Sequence, residues 1–292
     1  MKRFTVIAAL AVMFTLLRSV MFGQSLQERL EKFGSDYGTG YTQPFGNAFG
    51  AALNSGWYRN ADISEMVSVD IELRVMAMPI GDADKKFTAP ISSVEVPTIF
   101  GENVKVAVPG GNGNTYPPGF NLSMAPMIAP QLTIGAFMNT RAIVRFIPTT
   151  KLGDYGEASF FGIGIQHGLN QYLPMVPVDL SAMVAYSSLK LGDLVSANSF
   201  NLGAQVSKSF AMFTAYGGLA YETSSMDFAY TLKDAYQGIP AGSHVGFNLK
   251  GNNTVRGTVG ASLSLAILHI SADYSLAAQP VASVGLSLGF GL

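Results

Sequence analysis

The chain has 292 residues, 13% of them charged and 48% hydrophobic, with 32 glycines, no cysteine and a formal charge of −1. So weak a basic content excludes a nucleic-acid-binding face, and so high a hydrophobic content excludes a disordered chain. Without cysteine there is no disulfide, thiolate zinc site, thiol catalysis or cysteine-linked lipid anchor.

Lys2 and Arg3 precede an uncharged, mostly apolar run from Phe4 to Leu17, and small residues follow at Gly23 and Ser25. This is the three-part pattern of an export signal over residues 1–23. The run is too short for a membrane-spanning helix, which needs about 20 residues. Cleavage after Gly23 and after Ser25 both remain open. Removing 1–23 leaves 15 basic and 19 acidic residues, a net charge of −4 with no polybasic segment.

Residues 24–60 do not alternate. Leu26, Leu30 and Phe33, set among Glu28, Arg29, Glu31 and Lys32, predict a short amphipathic helix. Phe45, Phe49, Leu53 and Trp57 recur every fourth residue and fall on one helical face. Two readings follow: a hatch or plug tucked into a lumen, or a cap helix under a barrel.

From residue 61 onward the pattern has period two. Val67, Val69, Ile71, Leu73, Val75 and Ala77 oppose Ser68, Asp70, Glu72 and Arg74. Phe161, Ile163 and Ile165 oppose Gly162, Gly164 and Gln166, and the segments at 178–187, 200–207, 254–267 and 268–276 repeat the pattern, with Met183 out of phase. At the end, Val284, Leu286, Leu288 and Phe290 oppose Ser283, Gly285, Ser287 and Gly289. Alternate side chains of a strand face opposite sides of a sheet. One face is therefore oily and the other small or polar. Weaker alternation marks 131–138, 140–148 and 211–223. The proline- and glycine-rich stretch 92–130 reads mainly as loop, because proline removes a ladder donor.

Strands of about ten residues with one apolar face are the signature of a transmembrane β-barrel. A secreted β-sandwich is the competing architecture, but its outward face would be rich in Lys, Glu and Thr. The expected fold is all-β: a transmembrane antiparallel β-barrel of 10–14 strands over residues 61–292. Turns and strand parity favour twelve. Short connections near 138–140, 209–211 and 266–268 alternate with longer ones near 148–156, 188–196 and 224–252.

The phase assigns Asp70, Glu72, Arg74, Arg141, Arg145, Asp179, Arg256 and Asp273 to the lumen, since a charge facing lipid near the midplane costs about 2–4 kcal/mol. Either these acids and arginines pair across a narrow lumen and lock it, or they line a path for solute. His269, Ser271 and Asp273 share one strand face, but residues two apart stand about 6.5–7 Å apart along a strand, too far for a catalytic triad. The other histidines, His167 and His244, have no partner set for catalysis. No cluster has metal-ligand spacing beyond loop carboxylates such as Asp82 and Asp84, and nothing in the sequence asks for a cofactor.

The run Pro44-Phe-Gly-Asn-Ala-Phe-Gly-Ala-Ala-Leu-Asn-Ser-Gly-Trp-Tyr58 ahead of the strands resembles an uncharacterised outer-membrane family of Bacteroidota-type bacteria, as do Pro130-Gln-Leu-Thr-Ile-Gly135 and Gly162-Ile-Gly-Ile-Gln-His-Gly168. More distantly, the Gly/Ala-rich hatch is similar to the long-chain fatty-acid transporter type of outer-membrane channel. That likeness implies uptake of hydrophobic molecules. The chain is shorter than such transporters and ends in Leu292, with Phe290 in phase two residues earlier. The expected function is an outer-membrane channel or transporter for small, hydrophobic molecules. Its expected partners are outer-membrane lipid and a small hydrophobic ligand, with no nucleic acid. The alternative is a structural or adhesive barrel acting through the loops near 92–130 and 224–252.

Overall fold

The computed structural model describes residues 23–63, 67–90, 92–110, 113–151, 157–173 and 175–291. The expected export signal therefore lies, up to residue 22, outside the described residues. Two helices come first, α1 (Gly23–Leu30) and α2 (Ser35–Leu53). Strand β1 (Ser68–Pro79) follows, and then four short strands, β2 (Lys86–Thr88), β3 (Glu95–Pro97), β4 (Val106–Ala107) and β5 (Thr115–Tyr116). The long strands are β6 (Met124–Phe137), β7 (Thr140–Lys151), β8 (Glu157–Gly168), β9 (Asp179–Leu191), β10 (Val195–Phe210), β11 (Phe213–Thr231), β13 (Val255–Leu265), β14 (Leu268–Leu276) and β15 (Val281–Gly291), with the shorter β12 (His244–Lys250) between β11 and β13.

Ten strands pair antiparallel with their neighbours in sequence and close when β1 meets β15; β12 adds to the far end of β11 as an eleventh. The favoured count of twelve is thus corrected to ten. The surplus came from allowing a pair in 84–108; among the described residues of 80–123 the strands form only two small two-stranded sheets, β2–β3 and β4–β5, outside the barrel.

Three two-residue hairpins lie at one end. Met138 and Asn139, both at positive φ, make the two-residue β6–β7 turn, the geometry that matches strand twist. The β10–β11 and β13–β14 turns at 211–212 and 266–267, the start of β1 and the end of β15 share this turn end. The long connections 80–123 and 232–254 lie at the other, loop end. The β9–β10 connection is not a long loop as expected: both strands run on to a tight turn at 192–194.

Pro126 and Pro130 lie inside β6, a departure from the loop expected there. That part of β6 pairs with β1 alone, its bonding to β7 beginning only at Gln131. A strand edge without a partner tolerates a missing N–H.

On the lower two-thirds of the wall the apolar phase faces out. Ile71, Ile134, Phe146, Ile163, Leu202, Leu219, Val259 and Leu286 are all exposed large hydrophobics. Near the loop end of β9–β12 the phase inverts. Lys190, Asp227, Thr231, Asn248 and Lys250 face outward, while Leu189, Met226, Phe228, Tyr230 and Leu249 are buried. Among the described residues no helix is long and apolar enough to cross a membrane.

Candidate functional site: a barrel interior filled by the chain's own N-terminal segment

Residues 34–63 run down the barrel interior from the loop end to the turn end. Gly34 lies against Tyr236, Gly38 against Phe247 and Tyr230, and Gly46 against Leu249, all at the loop end. Gly50 meets Ser224, Gly56 meets Arg74 and Arg145, Tyr58 meets Gly203 and Gly218, and Ile63 reaches Gly168 at the turn end. The glycines of α2 are room for the wall: an added Cβ at Gly40 or Gly50 would overlap Phe87 or Ser224. Four interior glycines and Pro44 cost α2 about 7 kcal/mol against alanine. The helix therefore forms because the barrel packs it, not from its own propensity.

Phe45, Phe49 and Leu53 lie on α2 and are buried, as is Trp57. Trp57 is not on that helical face, however. The helix ends at Leu53 with Asn54 as its C-cap, and the Trp57 indole Nε1 donates back to the Leu53 carbonyl at 3.1 Å. The helix also starts earlier than the spacing implied, at Ser35.

Around α2 the interior is apolar and rich in rings. Phe45 packs on Phe49 at 4.4 Å between ring centres and lies 6.3 Å from Phe100 and Phe228; Tyr37 stacks on Tyr116 at 5.2 Å. Segment 80–123 folds over the same cluster through Ile80, Val96, Ile99 and Phe100.

Below Leu53 the segment is irregular, not helical, and the interior is polar. Arg256 makes a two-pronged pair with Glu222 at 2.6 and 2.9 Å, and donates to Ser55 Oγ at 2.6 Å and the Ala51 carbonyl at 2.9 Å. Arg74 lies between Glu72 at 2.8 Å and Asp273 at 3.0 Å and donates to the Tyr58 carbonyl. Arg59 of the segment pairs with Asp70 at 3.1 Å. The Tyr216 hydroxyl donates to Asp273 at 3.1 Å.

Arg141 and Arg145 differ, because among the described residues neither has a carboxylate within 4 Å. Arg145 donates to Gln131 at 2.9 Å and to the carbonyls of Ser55 at 2.9 Å and Gly56 at 2.6 Å, and its guanidinium stacks 3.7 Å from the Trp57 ring centre. Arg141 donates to Gln166 at 2.8 Å and to the Asn60 carbonyl. A cavity of about 10 Å³, lined by Trp57, Arg59, Glu72 and Arg141 among others, lies beside them. That is room for about one water.

The geometry brings together seven of the eight charged residues assigned to the interior by phase. Asp179, the eighth, is half-buried at the turn-end rim, 3.5 Å from Ser207 Oγ. His269, Ser271 and Asp273 form no triad: His269 bonds Ser264 at 3.0 Å, and Asp273 belongs to Arg74 and Tyr216. Sequence reasoning missed Glu222, Arg59, Tyr216 and the glutamines Gln131 and Gln166. Glu222 was legible, since it stands opposite in phase to Leu219 and Tyr221. Met183, the exception to alternation, is buried in a cluster with Trp57, Ile143 and Ala185.

At the loop end a cleft of about 970 Å³ opens between α1 and the upper ends of β8, β9 and β11, with Glu28, Glu31, Lys190, Asp193, Lys233 and His244 on its walls. Lys233 crosses it, its ammonium 2.6 Å from Glu31. That hydrogen bond to a carboxylate holds the Lys233 ammonium above the usual lysine range.

Among solved structures, the chain is similar to the N-terminal β-barrel domain of Pseudomonas aeruginosa OprF (10% identity, 76% of this chain and 97% of that one, TM-score 0.29). It is also similar to the attachment invasion locus protein Ail of Yersinia pestis (10%, 78% and 100%, 0.31) and to the translocator domain of the autotransporter NalP from Neisseria meningitidis (13%, 87% and 99%, 0.33). Likeness at this level carries no argument about function. No curated protein matches the chain. The family described as a family of unknown function, DUF6588, matches residues 1–290, and the chain belongs to it.

Proposed function

We propose that this protein is an outer-membrane channel or transporter for small molecules, exported by its leader and held closed by residues 24–60 as a plug. The apolar outer band supports the location. Exposed aromatics border it: Phe146 pairs with Phe161 and Tyr186 with Phe200 across neighbouring strands, Tyr221 lies farther along on β11, and Phe210, Phe213 and Phe290 mark the turn end. From Phe213 to Tyr221 a tilted strand rises about 20 Å, close to the apolar height of such barrels.

The observation that carries the transport reading is who fills the interior. A ten-strand wall could close itself with its own side chains. Here Gly162, Gly164, Gly203 and Gly218 leave the wall bare where Trp57 and Tyr58 lie. The filler precedes β1 and supplies no strand to the wall, so it can leave without breaking a barrel strand. Its helix is also too poor in propensity to persist outside. Deleting residues 26–60 should convert brief or absent currents in a planar bilayer into a steady conductance. Unchanged conductance would remove the plug from the account.

A second reading has its own observation. The mixed-charge cleft at the loop end, walled by α1, suits a structural or adhesive barrel acting through its outer loops. On that reading the deletion variant stays silent, and removing the loop 232–243 abolishes binding to a surface.

A further inference from the structure

We propose that the slot now holding Trp57 is a binding site for a planar, ring-bearing organic anion, and that the plug occupies it as an internal mimic of that ligand. The inference rests on the reading that the plug can leave. It gives that channel a substrate class.

The wall itself defines the slot. Ile143, Gly164 and Ala185 are register neighbours across β7, β8 and β9 and form its floor. A Cβ at Gly164 would stand 3.0 Å from the Trp57 ring, and one at Gly162 would stand 3.3 Å away. The floor is thus bare backbone at Gly162 and Gly164, flanked by Ile143 and Ala185, and the indole lies directly on it. One inward step toward the loop end stands Arg145, and one step toward the turn end stands Arg141.

Both guanidiniums are buried, Arg145 completely. A buried cation needs compensation, and the usual compensation is a carboxylate. Arg74, Arg256 and Arg59 have one; Arg141 and Arg145 have side-chain amides and three plug carbonyls instead. Two of those carbonyls, of Ser55 and Gly56, take the Nη1 and Nη2 donors of Arg145, the same fork that binds the two oxygens of a carboxylate. Gly56 reaches this position at φ +69, a conformation that favours glycine. The plug therefore offers an indole for a ring and paired carbonyl oxygens for a carboxylate. When it leaves, the wall keeps an apolar slot between two guanidiniums whose remaining partners are the neutral amides of Gln131 and Gln166. An aromatic carboxylate satisfies both parts at once, and a neutral hydrocarbon satisfies one.

Trp57 is the chain's single tryptophan, so its emission reports the slot without modification. The full-length protein in detergent is titrated with benzoate, with benzyl alcohol as the neutral analogue and acetate as the ringless one. Benzoate should shift the emission saturably to the red as the indole is displaced into water, with little effect from either control. Arg145→Gln should raise the half-saturating benzoate concentration about tenfold, by loss of charged hydrogen bonds. An equal response to benzyl alcohol would overturn the anion class. No response up to the benzoate solubility limit would overturn the site. A steady current after deletion of 26–60 alongside a silent titration would leave the channel standing and remove only this inference. The wild-type comparison of the three probes decides the matter even if Arg145→Gln fails to fold.

Discussion

The two halves of the barrel interior obey opposite rules. At the turn end the outer face is apolar, the inner face is polar, and the segment inside is irregular chain held by arginines. At the loop end of β9–β12 the outer face is polar, the inner face is apolar, and the segment inside is a helix held by shape. One strand makes the change visible. β11 turns Leu219 and Tyr221 outward and then, past Thr223, turns Met226, Phe228 and Tyr230 inward. On the proposed location, the turn-end half has lipid outside, where an unpaired backbone or charge is costly. The loop-end half is built like a water-soluble protein, with its oil at the centre.

That contrast is breakable. The largest effect belongs to the polar half. Arg256→Ala leaves the buried Glu222 carboxylate without its partner and should cost about 3–5 kcal/mol, read as a lower unfolding temperature in detergent. Replacing the pair together, Arg256→Met with Glu222→Leu, should restore most of that loss. A double variant as weak as the single one would mean that the arginine holds the plug rather than its carboxylate.

In the apolar half, Phe45→Ala should cost about 3 kcal/mol through a ring-sized cavity. The loss should be insensitive to salt. A smaller effect is expected at Gly50. Gly50→Ala gains helix propensity of about 1 kcal/mol but drives its methyl into Ser224, so the single variant should be destabilised. In a Ser224→Gly background the same change should stabilise. If Gly50→Ala stabilises alone, the helix is not packed against β11.

The smallest effect concerns the contact of the exposed Lys233 with the buried Glu31 across the cleft. The carboxylate raises the lysine, so the contact is fully present below the ordinary lysine value of 10.5 and is lost only as pH rises through the higher value that the ammonium has in the folded protein. Hydrogen exchange of α1 should therefore be the same in wild type and Lys233→Ala above that pH. Below it, the wild type should exchange more slowly.

The same contrast explains what could be read in the sequence. Every barrel strand was visible as alternation where an apolar outer face backs a polar interior, because the two phases then differ in kind. The strand extensions at 188–196 and 224–231 read as loop because the apolar phase switches sides there, which breaks the period even though the strand continues. The charged interior was legible for the same reason as the strands: Asp70, Glu72, Arg74, Arg145, Arg256 and Asp273 occupy the phase opposite the oil. What completes their pairing was not legible. The carbonyls of Ser55, Gly56 and Asn60 carry no side-chain signal, and Trp57 mimics a helical repeat that ends four residues before it.

The central claim is that the N-terminal segment lies in the lumen and closes it. The chain has no cysteine, so Gly50→Cys with Ser224→Cys introduces a single pair, at positions that the fold puts in contact. Current through a planar bilayer is then recorded on the oxidised protein and again after reduction. The account predicts disulfide formation, silence while oxidised, and opening events once the bond is cut. Failure of the pair to cross-link, or equal current in the two states, would contradict it.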